Sequence, residues 1–230
     1  MTEQLKDDIK RGLAKKADLT AKLEAAGSRL TAARETVARK LEEEIHSVLA
    51  FLDMPKMRFF VSLEPCGISP WGKEAVSFQI SPNTGEGKRP LSQIASGGEL
   101  SRIMLALQLK LGSSKDADTV VFDEIDTGIS GATAQKIGIC LRELSREKQV
   151  FCVTHSAQVS TLAKEHFLVE KREAEGRTET VLTLLGEEES LRENARLLGG
   201  AALTPQALSA AGTLREEGIA EWNKQQGLIF

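Results

Sequence analysis

The 230-residue sequence predicts an α/β lobe, a parallel sheet flanked by helices, that carries a long N-terminal helix of coiled-coil type. Three observations predict it. Residues 3–52 hold a repeating apolar seam with almost no helix breakers. Two short apolar runs, 119–123 and 149–154, are separated by a helical stretch, the pattern of parallel strands buried on both faces. Hydrophobic residues make up 41% of the chain and charged residues 27%, enough to bury a sizeable core and to exclude global disorder.

Taking the elements in order, the first is a single helix over residues 3–52. Apolar or small residues recur at Leu19, Leu23, Ala26, Leu30, Ala33 and Val37 in alternating steps of four and three, a heptad seam. From Val37 the steps become Leu41, Ile45, Val48 and Leu52, so one extra step of four acts as a stutter. At ~1.5 Å per residue such a helix extends roughly 75 Å, more than a globular core needs. It reads as one strand of an antiparallel coiled coil, residues 1–54, with a surface helix folded on its own domain as the alternative. Gly12 and Gly27 weaken it locally.

After Pro55 the period changes to two. Met57–Glu64 and Glu74–Ser81 read as strands, with a polar loop over residues 81–90 (SPNTGEGKRP). A helix follows over 98–111, then a strand over 119–123, a helix over 131–147 and a strand over 149–154. A short helix, strands at 166–171 and 179–185, and further helices complete the lobe, residues 55–212. Helices are expected in the last forty residues; residues 213–230 match no motif, and their apolar end is read as a tail or a partner contact.

Composition excludes several classes. No apolar run approaches the roughly 18 residues needed to span a bilayer. MTEQLKDDIKRG has no apolar signal segment, so a cytoplasmic protein with no membrane partner is expected. The three cysteines, Cys66, Cys140 and Cys152, form no CxxC pair, which suits buried thiols in a reducing compartment rather than a disulfide or zinc framework. The net charge of −3 conceals a local +4 over residues 1–40, which suits either a solvated helical face or contact with a phosphate backbone.

Three short patterns carry the chemistry. Asp123 and Glu124 follow an apolar strand, and in open α/β sheets the carboxyl ends of strands face the ligand crevice. One carboxylate there can hold Mg²⁺ and the next can deprotonate a water, although a plain polar strand end would read the same. Ser96-Gly97-Gly98-Glu99 opens a helix. Ser-x-x-Glu is a capping box, but a capping box does not explain two intervening glycines, which let backbone N–H groups approach an anion. Thr154-His155 follows the second apolar strand, where a histidine can hydrogen-bond a phosphate if the two strands are neighbours.

Taken together, SGGELSRIMLAL, FDEIDTGISG and THSAQV resemble the second half of an ABC-type ATPase head, in the branch of chromosome-maintenance and DNA-repair proteins. Asp-Thr-Gly-Ile after the carboxylates is most similar to the bacterial RecN-like family of double-strand-break repair, and the FLVEKR…GRTET strand pair fits it. The resemblance covers about residues 20–200. It implies an ATPase acting in DNA repair and recombination, with ATP and Mg²⁺ as nucleotide and cofactor. By the same resemblance Asp123 organises Mg²⁺, Glu124 is the general base and His155 contacts the γ-phosphate. Ser96, Gly97, Gly98 and Glu99 form the signature that caps nucleotide held by a partner head, and Asp126 belongs to the loop coupling two heads. Arg102, one turn into the helix, could assist that capping or pair with a nearby acid, and the second reading is preferred. The implied partners are a Walker A half of the same protein, a second head and DNA, either ends or single strands, in a cytoplasmic, nucleoid-associated setting. Two other readings are another SMC-like or RecF-type head and a non-catalytic coiled-coil dimerisation module.

A phosphate-cradling loop is the part to look for. Gly67-Ile-Ser-Pro-Trp-Gly72-Lys73-Glu74 matches G-x-x-x-x-G-K-[ST] until its last position, where a carboxylate would repel phosphate. The alternating AVSFQI after it predicts a strand, whereas a P-loop opens a helix. The stretch is therefore expected to be a hairpin loop. The chain is expected to be the C-terminal half of such a protein and inactive by itself.

Overall fold

Helix α1 runs from Glu3 to Phe51 without a break in the computed structural model, which describes residues 3–83, 85–94, 96–111, 117–174, 177–200 and 203–228. The chain divides into two compact units, residues up to Glu44 with Arg58–Leu91, and Ile45–Met57 with Ser92 onward. The sequence boundary at 54/55 falls inside the second of these.

In the first unit, strands β1 (Arg58–Ser69) and β2 (Gly72–Ser81) form an antiparallel hairpin, and the two-residue β3 (Arg89–Pro90) adds beside β2. Pro70 and Trp71 make the turn, and the next residue is Gly72 at φ +111. That backbone conformation favours glycine, and a Cβ there would lie 2.7 Å from Arg34 Nη1 and 2.8 Å from Leu30 Cδ2. Arg34 Nη2 donates to the Trp71 carbonyl at 2.6 Å, and Lys73 Nζ donates to Ser28 Oγ at 3.1 Å. The Glu74 carboxylate accepts from the Thr31 hydroxyl and, at 3.4 Å, from Arg34 Nη1. The P-loop-like stretch is thus a hairpin tip pinned to α1, as the alternation predicts. Gly27 does not break the helix; a Cβ there would lie 3.3 Å from Lys73 Cδ, a tight contact with that side chain. Leu19, Leu23, Leu30 and Val37 of the seam are exposed, as are Leu5, Ile9 and Leu13 before it.

In the second unit, the end of α1 supplies Ile45, Val48 and Leu49 and the turn after it Leu52, all fully buried. The helix stops without a glycine. Asp53 adopts φ +60, and the Met54 N–H reaches back to the Leu49 carbonyl at 2.8 Å, the closing bond of a Schellman turn. The Asp53 carboxylate accepts from Lys136 Nζ at 2.6 Å and Thr133 Oγ1 at 2.8 Å, and these bonds hold its pKa below the usual carboxylate value.

Helices α2 (Gly97–Leu111) and α3 (Gly131–Leu144) contribute further large core residues, among them Ile103, Leu105, Ile137, Ile139 and Cys140. Strands β4 (Thr119–Asp123) and β5 (Gln149–Val153) pair in parallel, in register from Thr119↔Gln149 to Asp123↔Val153. The short α4 (Ala157–Ser160) leads to the antiparallel pair β6 (Phe167–Ala174) and β7 (Arg177–Leu184). Helices α5 (Glu187–Gly199) and α6 (Pro205–Gln225) close the chain.

One difference from the sequence reading stands out. The β4–β5 sheet is not covered on both faces. Phe122 is buried, but Val121 and Val153 on the opposite face are 64% and 60% exposed, and Phe151 beside them is exposed too. A run of apolar residues declares a strand that can be buried twice; whether a second layer arrives depends on other chain segments. Helices expected in the last forty residues are present, and residues 213–225, whose role the sequence left open, make up the greater part of α6. Trp222 Nε1 donates to Glu143 Oε2 at 2.8 Å and its ring lies under Arg142, 4.8 Å from the guanidinium carbon, so α6 is fastened to α3.

Candidate functional site

The parallel pairing of β4 and β5 makes their carboxyl ends neighbours, so the condition set by the sequence for His155 is met. Asp123 closes the ladder opposite Val153, with Glu124 one residue beyond it and His155 two residues beyond. Asp123, Glu124 and His155 are all exposed, and none of their side chains has a hydrogen-bond or ion-pair partner among the described residues. Glu124 sits at φ +54, in a region that non-glycine residues seldom occupy, at a cost of about 1–3 kcal/mol. The tight turn it starts is closed by the Thr127 N–H on the Glu124 carbonyl at 3.1 Å.

The start of α2 meets this turn. Ser96 Oγ accepts from the Glu99 N–H at 3.4 Å, half of the expected capping box. The two glycines differ in their surroundings. A Cβ on Gly98 would lie 3.3 Å from the Thr127 carbonyl and 3.5 Å from that of Glu124, so Gly98 allows α2 to press against the turn. A Cβ on Gly97 would meet nothing within 4 Å. Packing within the chain therefore explains one glycine, while Gly97 faces open space.

Arg102 corrects its sequence reading. Among the described residues it pairs with no acid; its buried guanidinium donates from Nη1 to the Ile125 carbonyl at 3.1 Å, inside the same turn. Burial lowers its pKa, and the nearby Glu99 charge opposes that shift. Sequence spacing could place Arg102 on the inner face of α2 but not choose between a carboxylate and a carbonyl.

Asp126 is brought to the site but turned inward. It is 6% exposed, its Oδ2 accepts from the Thr154 hydroxyl, and its buried Oδ1 has no partner. Thr154, whose role the sequence left unread, accepts in turn from the Ser156 N–H at 2.9 Å. Cys152 lies on the same strand end, where burial and then the charges of Asp126 and Asp123 push its thiol up to about 12, so it stays protonated and unreactive at neutral pH.

Among the described residues no group of three His, Cys, Asp or Glu side chains is placed to hold a metal ion. Asp123 fits as a single carboxylate ligand to Mg²⁺, a cation that commonly takes one or two protein carboxylates and completes its shell with water and phosphate oxygens. Among the described residues no helix is long and apolar enough to cross a membrane.

No family model matches the chain. The DNA repair protein RecN of Vibrio cholerae is 38% identical over 192 residues, covering 83% of this chain and 35% of that protein. RecN of Treponema pallidum is 38% identical over 226 residues, 95% of this chain and 38% of that protein. RecN of Deinococcus radiodurans is 43% identical over 186 residues, 79% of this chain and 32% of that protein. The chain thus spans about a third of the length of the curated relatives it matches. Among solved structures, the Smc head domain with a coiled coil and joint from Pyrococcus yayanosii matches with a TM-score of 0.57 at 19% identity, over 83% of this chain and 35% of that one. That likeness establishes the fold as one of ABC-ATPase head type with a long helix.

Proposed function

Since the chain belongs to the RecN family of DNA repair proteins over the third of their length that it spans, we propose that it forms one lobe of an SMC-like ATPase head acting in double-strand-break repair and recombination. The observation that carries this reading is the convergence at one sheet end of Asp123, Glu124 and His155, with Gly98 of α2 against the same turn.

In this reading Glu124 accepts the proton of the water that attacks the γ-phosphorus, and His155 holds a γ-phosphate oxygen by a hydrogen bond. Asp123 would hold Mg²⁺, which supplies charge neutralisation to the phosphates when bound. Ser96, Gly97, Gly98 and Glu99 present the N-terminus of α2 to nucleotide on a second head, and the open space at Gly97 supports that assignment. A helix N-terminus stabilises charge but cannot enclose a triphosphate, so a Walker A half of the same protein is required, and the chain by itself is inactive. Residues up to about Glu44 are the coiled-coil arm, whose exposed seam of Leu19, Leu23, Leu30 and Val37 receives an antiparallel helix of the same protein. The local positive charge of residues 1–40 suits contact with DNA, ends or single strands, in the cytoplasm at the nucleoid.

The test is Mg-ATP hydrolysis by the full-length protein with and without DNA. Hydrolysis that DNA stimulates, and that Gly97→Asp abolishes, is expected. A full-length protein that folds and dimerises through its coiled coil but never hydrolyses ATP would leave only the dimerisation module.

A further inference from the structure

We propose that Asp126 and Thr154 form a positioning pair that holds His155 in fixed relation to Glu124. The proposal rests on the ATPase reading above and adds to it two residues that act through others rather than on substrate.

The β4–β5 ladder ends at Asp123↔Val153, and beyond it the two chains separate, one turning into α3 and the other into α4. Glu124 and His155 both lie past the last rung, so backbone pairing does not set the distance between them. The bond from the Thr154 hydroxyl to Asp126 Oδ2 crosses that gap and links segments 28 residues apart in sequence. Thr154 Oγ1 serves twice, donating to Asp126 and accepting the Ser156 N–H at 2.9 Å. His155 stands between Thr154 and Ser156, so this hydroxyl fixes the backbone on both sides of an imidazole that is itself exposed. The Ser156 hydroxyl continues the chain of bonds to Gln158 Oε1 at 2.8 Å, at the first turn of α4.

Electrostatics argue against a packing role alone. A carboxylate that is nine-tenths buried, with Oδ1 lacking any partner, carries a desolvation cost that an apolar pair of similar volume would avoid. An acceptor-only group does offer one advantage. Ionised Asp126 can only accept, so the Thr154 proton points one way and the Oγ1 lone pair is left for the Ser156 N–H. The arrangement therefore defines a single orientation for the His155 turn.

The experiment uses the full-length protein and begins with wild type and Glu124→Gln. Hydrolysis by wild type and its loss in Glu124→Gln establish the ATPase reading; failure here overturns that reading and the positioning role with it. Thr154→Val removes both bonds at nearly constant volume and should lower kcat on the order of 10–100-fold, with KM for ATP little changed. Thr154→Ser keeps the hydroxyl and should recover most of the rate. Because Thr154 acts through His155, Thr154→Val should cost little further in a His155→Ala background. A merely structural role would instead lower the melting temperature and add to the His155→Ala effect. If Thr154→Val does not fold, Asp126→Asn takes its place in the same cycle. It keeps an acceptor but adds a competing donor, and an intermediate loss of kcat, again non-additive with His155→Ala, is expected. Wild-type kcat in the hydroxyl-free variant, or additivity with His155→Ala, overturns the proposal while leaving the ATPase reading intact.

Discussion

Arg102 and Ile125 tie the start of α2 to the turn after β4: the buried guanidinium donates to the Ile125 carbonyl at 3.1 Å, beside Gly98. The helix that opens at Ser96-Gly97-Gly98-Glu99 and the turn that bears Glu124 are thereby one packed unit. The two glycines of α2 then separate by experiment. Gly98→Ala forces its Cβ against the Thr127 carbonyl and should destabilise the chain by about 1–3 kcal/mol. Gly97→Ala meets nothing in the chain and should leave the denaturation midpoint unchanged or slightly raised, while lowering ATP-dependent association of the full-length protein. Equal stability loss in both variants would remove the distinction. Arg102→Ala should cost about 1–3 kcal/mol by leaving the Ile125 carbonyl without its charged donor.

The two carboxylates of the strand end should fail differently in the full-length protein. Glu124→Gln keeps a hydrogen-bonding group but cannot take a proton, so turnover should fall by on the order of 10²–10⁴ while ATP binding persists. ATP-bound heads should then accumulate as dimers, visible by light scattering. Asp123→Asn should weaken Mg²⁺ binding and with it nucleotide affinity. If Asp123→Asn traps dimers more readily than Glu124→Gln, the two roles are reversed.

Restoring the consensus at the hairpin tip should not create a nucleotide site. Glu74→Thr completes G-x-x-x-x-G-K-T in letters, but Lys73 is engaged with Ser28 and the strands on either side remain strands. The substitution instead removes the acceptor of Thr31 and Arg34 and should lower stability. Calorimetric titration of the variant chain with Mg-ATP should give no heat of binding; micromolar affinity would contradict the hairpin reading.

His166 gives the chain an acid-sensitive contact. It is half-buried, with Nδ1 2.9 Å from Ser190 Oγ, and burial lowers its pKa while Glu193 opposes the shift. A lowered folded-state value means the unfolded chain binds the proton more readily. The contribution is therefore intact above the ordinary histidine value of about 6.5 and is lost as pH falls through the folded value. His166→Gln should flatten the fall in denaturation midpoint between pH 7 and 5; an unchanged slope would assign that fall to other groups.

The sequence by itself determined the element order, two strands of parallel type and the hairpin in place of a P-loop; the approach of His155 to Asp123 and Glu124 it gave only on condition that those strands are neighbours, which the structure supplied. Each follows from local pattern: heptad spacing, apolar runs of strand length, alternation, and the rule that parallel neighbours share a carboxyl end. Only the tertiary structure decided what each polar group touches. Arg102 found a carbonyl rather than an acid, Asp126 turned inward to Thr154, Trp222 fastened the last helix to α3, and Val121 and Val153 stayed exposed on one face of the sheet. The physical reason is range. Periodicity constrains which side of an element a residue occupies, because neighbours along the chain impose it. The partner across a packed interface is chosen by long-range contacts that no local pattern encodes.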